Sequence, residues 1–264
     1  MLPQLLPAHH TAAWPARAWT AQLLAAALPG RPLDLGTDPP SSATLPAYLA
    51  SPTPAGYIFD DTILDERPDL AAQCPPLSPP PPAASFPPIP RGAEGCYLTH
   101  ITSFPALRPR WRWLLVGHPG AGFGMHVDPH ATCAYNTLLA GRKRWALLPP
   151  STPAPLAAPR PSESAAAWFR DTLPALPAAA AAQLLLLEQA PGETLLIPAG
   201  WWHVALTVGA EASVAVTANF LARGEFEGEL AKLLESSPGA ARAWAARVRA
   251  AGLPFTAPAG LDGV

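Results

Sequence analysis

The sequence predicts a mainly β fold, a sandwich or jelly roll of short strands with helices on its flanks. Three observations carry the prediction. Short apolar runs recur from residue 111 to 217. Gly141, Pro149-Pro150, Pro191-Gly192 and Gly209 punctuate them with turn signals. Helical periodicity is confined to the two ends of the chain. With 264 residues and a 49% apolar share, the chain is large enough for a sizeable core.

In order along the chain, residues 11–28 read as a helix in which Trp14 and Trp19 precede Leu23, Leu24 and Leu28, and Pro29-Gly30 stops it. Residues 44–50 read as a second short helix and 56–60 as a strand. Residues 75–90 contain nine prolines, which exclude a regular element and predict a polyproline-like surface loop. Strands follow at 111–117, 124–128, 135–139, 144–148, 184–187, 194–197, 203–208 and 213–217. Helices return at 225–235 and 240–251, with Leu230, Leu233, Leu234, Trp244 and Val248 as their apolar stripe. The division expected is an N-terminal segment of helix and strand over residues 1–56, a β core over 57–220 and C-terminal helices over 221–264.

Composition narrows the function classes. Seventeen basic against 19 acidic residues leave a net charge of −2, so no basic stripe supports nucleic-acid binding. The strongest local cationic patch is Arg108, Arg110 and Arg112, alternating along one strand. Cys74, Cys96 and Cys133 form no Cys-x-x-Cys pair, which argues against a zinc site or a disulfide scaffold and for a reducing, intracellular compartment. No apolar run approaches the roughly 20 residues that span a bilayer. Pro3, Pro7 and His9-His10 interrupt any signal-peptide pattern.

The residues that carry chemistry are His126, Asp128 and His203. Residues i and i+2 of a strand share a face, so His126 and Asp128 can look into one interior, joined by His203 from a later strand. Two imidazoles and a carboxylate can cap one face of an octahedral iron(II) and leave the other open for a chelating cosubstrate and oxygen. The competing reading is two core histidines and an aspartate capping a turn before Pro129. Spacing alone weighs the two equally. Pro198-Ala199-Gly200 tilts the balance by setting His203 at a strand start, as does Lys143 in Gly-Arg-Lys-Arg-Trp. One cation there can point inward between outward neighbours. A buried cation needs an anion, and the carboxylate of a 2-oxo acid would supply it. Without the three ligands, a solvated charge would be the better reading of Lys143. Tyr135 and Asn136, and Ala215, Thr217 and Asn219 on one face of the last core strand, are expected to line the same cavity.

The chain resembles the JmjC-domain oxygenases of the cupin superfamily, and among them the branch of bifunctional arginine demethylases and lysyl hydroxylases. The resemblance rests on Tyr57-Ile-Phe-Asp60, Arg112-Trp113, Gly124-x-His126-x-Asp128-Pro129, Ala134-Tyr-Asn136 and Gly141-x-Lys143-Arg144-Trp145. Pro191-Gly-Glu-Thr194, Gly200-Trp-Trp-His203 and Thr217-x-Asn219-Phe220 complete it. It implies a double-stranded β-helix, a cupin-like jelly roll, holding iron(II) and 2-oxoglutarate and reacting with O2. His126, Asp128 and His203 would hold the metal. Lys143 and Thr217 would grip the far carboxylate of 2-oxoglutarate, with Asn136, Tyr57, Phe123 and Asn219 around it.

The implied activity is hydroxylation of protein side chains, as lysyl hydroxylation or N-methyl demethylation, on a histone or splicing-related partner. The implied setting is nuclear or cytoplasmic, with a homodimer through the C-terminal helices. Three departures stand out. Phe123 occupies a position where close relatives carry a threonine that touches 2-oxoglutarate. Tyr135 replaces a tryptophan. The strand and helix that the family places ahead of the Trp14–Trp19 segment are expected to be missing. The alternatives are a binding module that has lost turnover and an oxygenase acting on RNA or another non-protein molecule. The proline-rich stretch also reads, more weakly, as a ligand for aromatic-groove domains.

Overall fold

The computed structural model describes residues 2–37, 39–51, 56–75, 96–101, 112–160 and 162–261. Of the proline-rich stretch only Pro75 falls within these. Trp111, Arg108 and Arg110 lie outside the described residues.

Eight strands build the core: β5 (Arg112–Gly117), β6 (Gly122–His126), β7 (Cys133–Ala140), β8 (Arg142–Leu148), β9 (Leu185–Gln189), β10 (Thr194–Ile197), β11 (Trp202–Val208) and β12 (Ser213–Phe220). Ahead of them come β1 (Gln4–Leu6), β2 (Pro32–Asp34), β3 (Ser42–Thr44) and β4 (Ile58–Asp60). One sheet has the order β1-β10-β7-β12-β5-β4 and the other β6-β11-β8-β9, while β2 and β3 pair as a separate ribbon. All pairings are antiparallel. From β5 onward the chain steps from sheet to sheet at almost every turn, with only the β8–β9 connection staying in one sheet. That alternation is a jelly roll.

Period-2 alternation sorts the side chains. On β8, Lys143, Trp145 and Leu147 are buried, while Arg142 and Arg144 are exposed and share Glu188 of β9 at 3.4 and 3.1 Å. The inward cation and outward neighbours expected from the sequence are therefore both present. β12 is buried along nearly its whole length because both of its faces are covered. Its outer residues Val214 and Val216 join Leu114 and Val116 of β5 in a core that the terminal helices close. The outer face of the smaller sheet is covered by the 154–181 segment, where fully buried Trp168 donates from Nε1 to the Ala157 carbonyl at 2.8 Å.

Two local readings are corrected. The single helix expected over 11–28 is three pieces, 3₁₀ turns at Ala8–Thr11 and Pro15–Ala18 and an α-helix only at Ala21–Ala27. Pro15 opens the second turn, and Thr20 starts the helix by accepting from the Leu23 amide at 3.2 Å. A strand also precedes Trp14, because Gln4–Leu6 adds to the edge of the larger sheet on β10.

The C-terminal helices, Arg223–Ser236 and Pro238–Ala250, spend their apolar stripe inside the chain. Phe226 is fully buried against the rings of Tyr97, Trp244 and Phe255. Phe226→Ala is expected to cost about 3–5 kcal/mol of stability, read from urea unfolding. A loss under about 1 kcal/mol would mean that this cluster does not anchor the helices.

Candidate metal centre and anion pocket

His126 ends β6 and His203 is the second residue of β11, and the two are direct cross-strand partners. Asp128 is not on the strand, as the i, i+2 argument expected. It follows the strand end in extended backbone, before a turn at Pro129–Ala131. Its carboxylate still reaches the same point, with Oδ1 3.7 Å from His126 Nε2 and Oδ2 3.9 Å from His203 Nε2. One ligand atom from each residue lies within 4.8 Å of the others.

Backbone carbonyls set the tautomers. His126 Nδ1 lies 2.8 Å from the Gly124 carbonyl and His203 Nδ1 lies 3.0 Å from that of Trp201. A carbonyl only accepts, so each Nδ1 carries a proton and Nε2 is the ring atom that each histidine turns toward Asp128. Burial, then the neighbouring His203, holds His126 well below the ordinary imidazole value, in the neutral form a metal needs. The competing reading of Asp128 as a turn cap fails, because its side chain makes no capping hydrogen bond. Two imidazoles and one carboxylate, converging on a cavity with an open side, fit an iron(II) centre.

A bulge in β6 shapes the wall beside the histidines. His126 pairs with His203 and Phe123 with Ala205, so three steps on β6 match two on β11. The extra residue brings Phe123 onto the cavity face together with His126 and sends Met125 into the outer cluster under Trp168. Phe123 stacks on Phe59 with centroids 4.9 Å apart and stands edge-on to His126 at 4.6 Å. Gly124 permits the bulge to sit against the next segment, since a Cβ there would collide with the Glu163 carbonyl. Gly124→Ala is expected to lower the melting temperature by the equivalent of about 1–3 kcal/mol. An unchanged melting temperature would show that this close approach is not needed.

The cavity has a volume of about 370 Å³. Its far end is built around Lys143, 1% exposed, which pairs across with Thr207 while His203 pairs with Leu147. Four residues along β8 separate those levels, about 13 Å at strand spacing. Lys143 Nζ is 5.6 Å from the Tyr57 ring centre and 5.8 Å from that of Trp145, and no described residue hydrogen-bonds to it. Burial pushes its pKa down to about 7. Tyr57 Oη, Trp113 Nε1 and Asn136 Oδ1 are likewise buried without partners among the described residues. Three donors and an amide whose two ends are easily interchanged converge where no carboxylate of the described lining lies near them. Leaving such groups unpaired is costly, and a carboxylate ligand would satisfy them.

The remaining expected residues fall as follows. Thr217 and Asn219 line the cavity, and Ala215 shares their face in a cluster with Tyr57 and Leu115. The Thr217 hydroxyl donates to the Tyr135 carbonyl at 2.8 Å, so it would have to turn to donate to an anion. Asn219 donates to the Thr132 hydroxyl at 2.9 Å and braces the turn that carries Asp128. Tyr135 does not line the cavity. Adjacent strand residues face opposite ways, and with Asn136 inward Tyr135 packs into the outer core near Phe220. The sequence reading missed Phe59, Trp113, Trp145 and His130 as lining residues. Trp145 was legible, two positions after Lys143, and its Nε1 is fixed by Gln189 at 2.9 Å.

Comparison with known families finds a likeness over the stretch that carries this arrangement. The family described as "JmjC domain, hydroxylase" matches residues 113–220. Residues 113–220 are thus similar to a JmjC domain. The match spans every core strand and both histidines. The chain is similar to Lysine-specific demethylase JMJ21 of Arabidopsis thaliana, 41% identical over 130 residues, which is 45% of this chain and 13% of that protein. It is 39% identical over 124 residues to Bifunctional arginine demethylase and lysyl-hydroxylase psr-1 of Caenorhabditis briggsae, covering 43% of this chain and 30% of that one. It is 32% identical over 123 residues to Arginine-specific demethylase JMJ22 of Arabidopsis thaliana, covering 44% and 24%. The alignments thus span less than a third of each of these relatives.

Proposed function

We propose that this JmjC-like domain is an iron(II)- and 2-oxoglutarate-dependent oxygenase that hydroxylates protein side chains. Its target is a lysine carbon or the N-methyl group of an arginine or lysine. A hydroxylated N-methyl group collapses to formaldehyde and the free amine. The observation that carries this reading is a single cavity with the His126–Asp128–His203 group at one end and unpartnered Lys143 at the other. A short dicarboxylate that chelates a metal at one end and seeks a cation at the other suits that layout.

Iron and cosubstrate supply the oxygen activation and C–H hydroxylation when bound. The protein supplies the rest. Gly124 and Trp201 carbonyls hold the imidazoles so that Nε2 faces the metal position. Lys143 and Tyr57, with Asn136, hold the far carboxylate. Phe59, Phe123 and Trp113 wall the space with aromatic surface and keep water from it.

The named activities of the relatives, lysine- and arginine-specific demethylation and lysyl hydroxylation, support protein as substrate; histones and splicing-related proteins are the class we propose. Action in the nucleus or cytoplasm, and a dimer through the C-terminal helices, belong to the same proposal. A monomeric mass by sedimentation would remove the dimer. The function is tested by incubating the protein with iron(II), 2-oxoglutarate, oxygen and peptides carrying lysine or methylated arginine. Mass spectrometry should find a gain of one oxygen or a loss of one methylene, coupled to succinate. Succinate formation with no peptide change on either set would contradict protein hydroxylation.

A further inference from the structure

A second cleft of about 630 Å³ opens beside the anion end of the cavity. Its walls include Gly36, Gly56, Gly120, Gly122 and Ala121. Tyr57 and Phe123 line both this cleft and the metal cavity, so the two spaces are divided by those rings. The cleft lies at the level of Lys143, since Thr207, the cross-strand partner of Lys143, exchanges backbone hydrogen bonds with Gly120 and Ala121 at 2.9 and 2.8 Å. The metal group lies at the other end, where Asp128, Pro129 and the exposed His130 border the cavity.

We propose that this cleft is a port through which small dicarboxylates pass between solvent and Lys143, with the Phe123 ring as its door. The inference rests on the proposed function and adds a route to it. A protein segment seated over His130 would block the metal end. Cosubstrate entering there would have to pass the metal position before reaching Lys143. The cleft gives access directly at the cation, so a dicarboxylate can exchange while the protein substrate stays bound. The backbone under the ring is held, since a Cβ at Gly122 or Gly124 would collide with the Ala205 or Glu163 carbonyl, so the door opens by rotation of the half-buried Phe123 side chain off the Phe59 ring on which it stacks.

The test closes the port chemically in one and the same folded protein. Ala121→Cys puts a thiol on the cleft wall. The native cysteines are all buried, and burial raises the thiol pKa of Cys74 and Cys133 to about 12, so a bulky maleimide should react at position 121. Binding of 2-oxoglutarate to the iron(II) protein is followed anaerobically by stopped-flow, before and after labelling. Glu235→Cys on the exposed face of the first C-terminal helix, outside both cavities, is labelled identically as the control. Labelling at 121 is expected to slow association and dissociation together by about tenfold and leave the equilibrium constant nearly unchanged. Labelling at 235 should leave both rates alone. Unchanged rates after labelling at 121, or equal slowing at 121 and 235, would overturn the port. A chelate band that never forms in the folded, unlabelled protein would overturn the proposed function and the port with it, an outcome distinct from a band that forms at unchanged rates.

Discussion

His126→Ala or Asp128→Ala abolishes 2-oxoglutarate turnover and iron(II) binding while the domain stays folded. The expected fall is about a thousandfold or more, because the metal supplies several kcal/mol of transition-state stabilisation that no other group can replace. Folding should survive. The imidazole of His126 is partly exposed at the cavity, and its Nδ1 hydrogen-bonds to the Gly124 carbonyl two residues away. The Asp128 carboxylate caps no helix. Circular dichroism and thermal melts check the fold, isothermal titration checks iron(II), and succinate release checks turnover. Turnover near that of the parent protein in either variant would remove the metal assignment.

The second large effect is at Lys143, where function and stability should move in opposite directions. Lys143→Ala is expected to raise the apparent KM for 2-oxoglutarate about ten- to a hundredfold, the worth of a charge-assisted contact in a buried site. Lys143→Met, which fills the same space without a charge, should raise KM similarly and stabilise the ligand-free protein. The sign follows from the depressed pKa. Lys143 titrates near 7 when folded and near 10.4 when unfolded, so between those values the unfolded chain binds more protons and stability rises with pH. The penalty of the buried charge is complete below about pH 7 and gone above about pH 10. The gain from Lys143→Met should therefore be largest at pH 6–7, on the order of a few kcal/mol, and fade toward pH 10. Dicarboxylate binding should also restore the charge, so at pH 8 it takes up close to one proton. Calorimetry in buffers of different ionisation enthalpy measures that uptake. An unchanged KM would end the anion role, and no proton uptake would mean the lysine is already charged in the free site.

Much of this was legible in the residues because strand geometry is periodic. Lys143 between two outward arginines, and Ala215, Thr217 and Asn219 on one face, needed only the period of two. The same rule, applied strictly, would have turned Tyr135 away from the cavity that Asn136 faces. The rule itself fails at β6. A bulge adds one residue there, so Phe123 and His126 share a wall at a spacing of three, and Asp128 reaches the site from beyond the strand end. A bulge is set by pairing with another strand, here β11, and the local sequence shows only a permissive Gly124. The tautomer-fixing carbonyls of Gly124 and Trp201 were also unreadable, since backbone acceptors carry no residue code. At the N-terminus, Pro15 and Thr20 are plain breaking and capping signals inside an apolar pattern that looked continuous. The second cleft follows from how Gly56-Tyr57, the 118–123 segment entering β6 and the helix start at Ser164-Ala165 meet in space, which no single segment records.

The central claim is that one cavity holds a chelating dicarboxylate between a metal at His126, Asp128 and His203 and the cation of Lys143. Anaerobic titration of the purified protein with iron(II) and 2-oxoglutarate tests it most directly. The account predicts a weak visible charge-transfer band that appears only with both ligands, is weakened by Lys143→Ala, is lost in Asp128→Ala, and bleaches when oxygen is admitted. A well-folded protein that binds iron(II) and 2-oxoglutarate without ever showing the band, or binds neither, would contradict it.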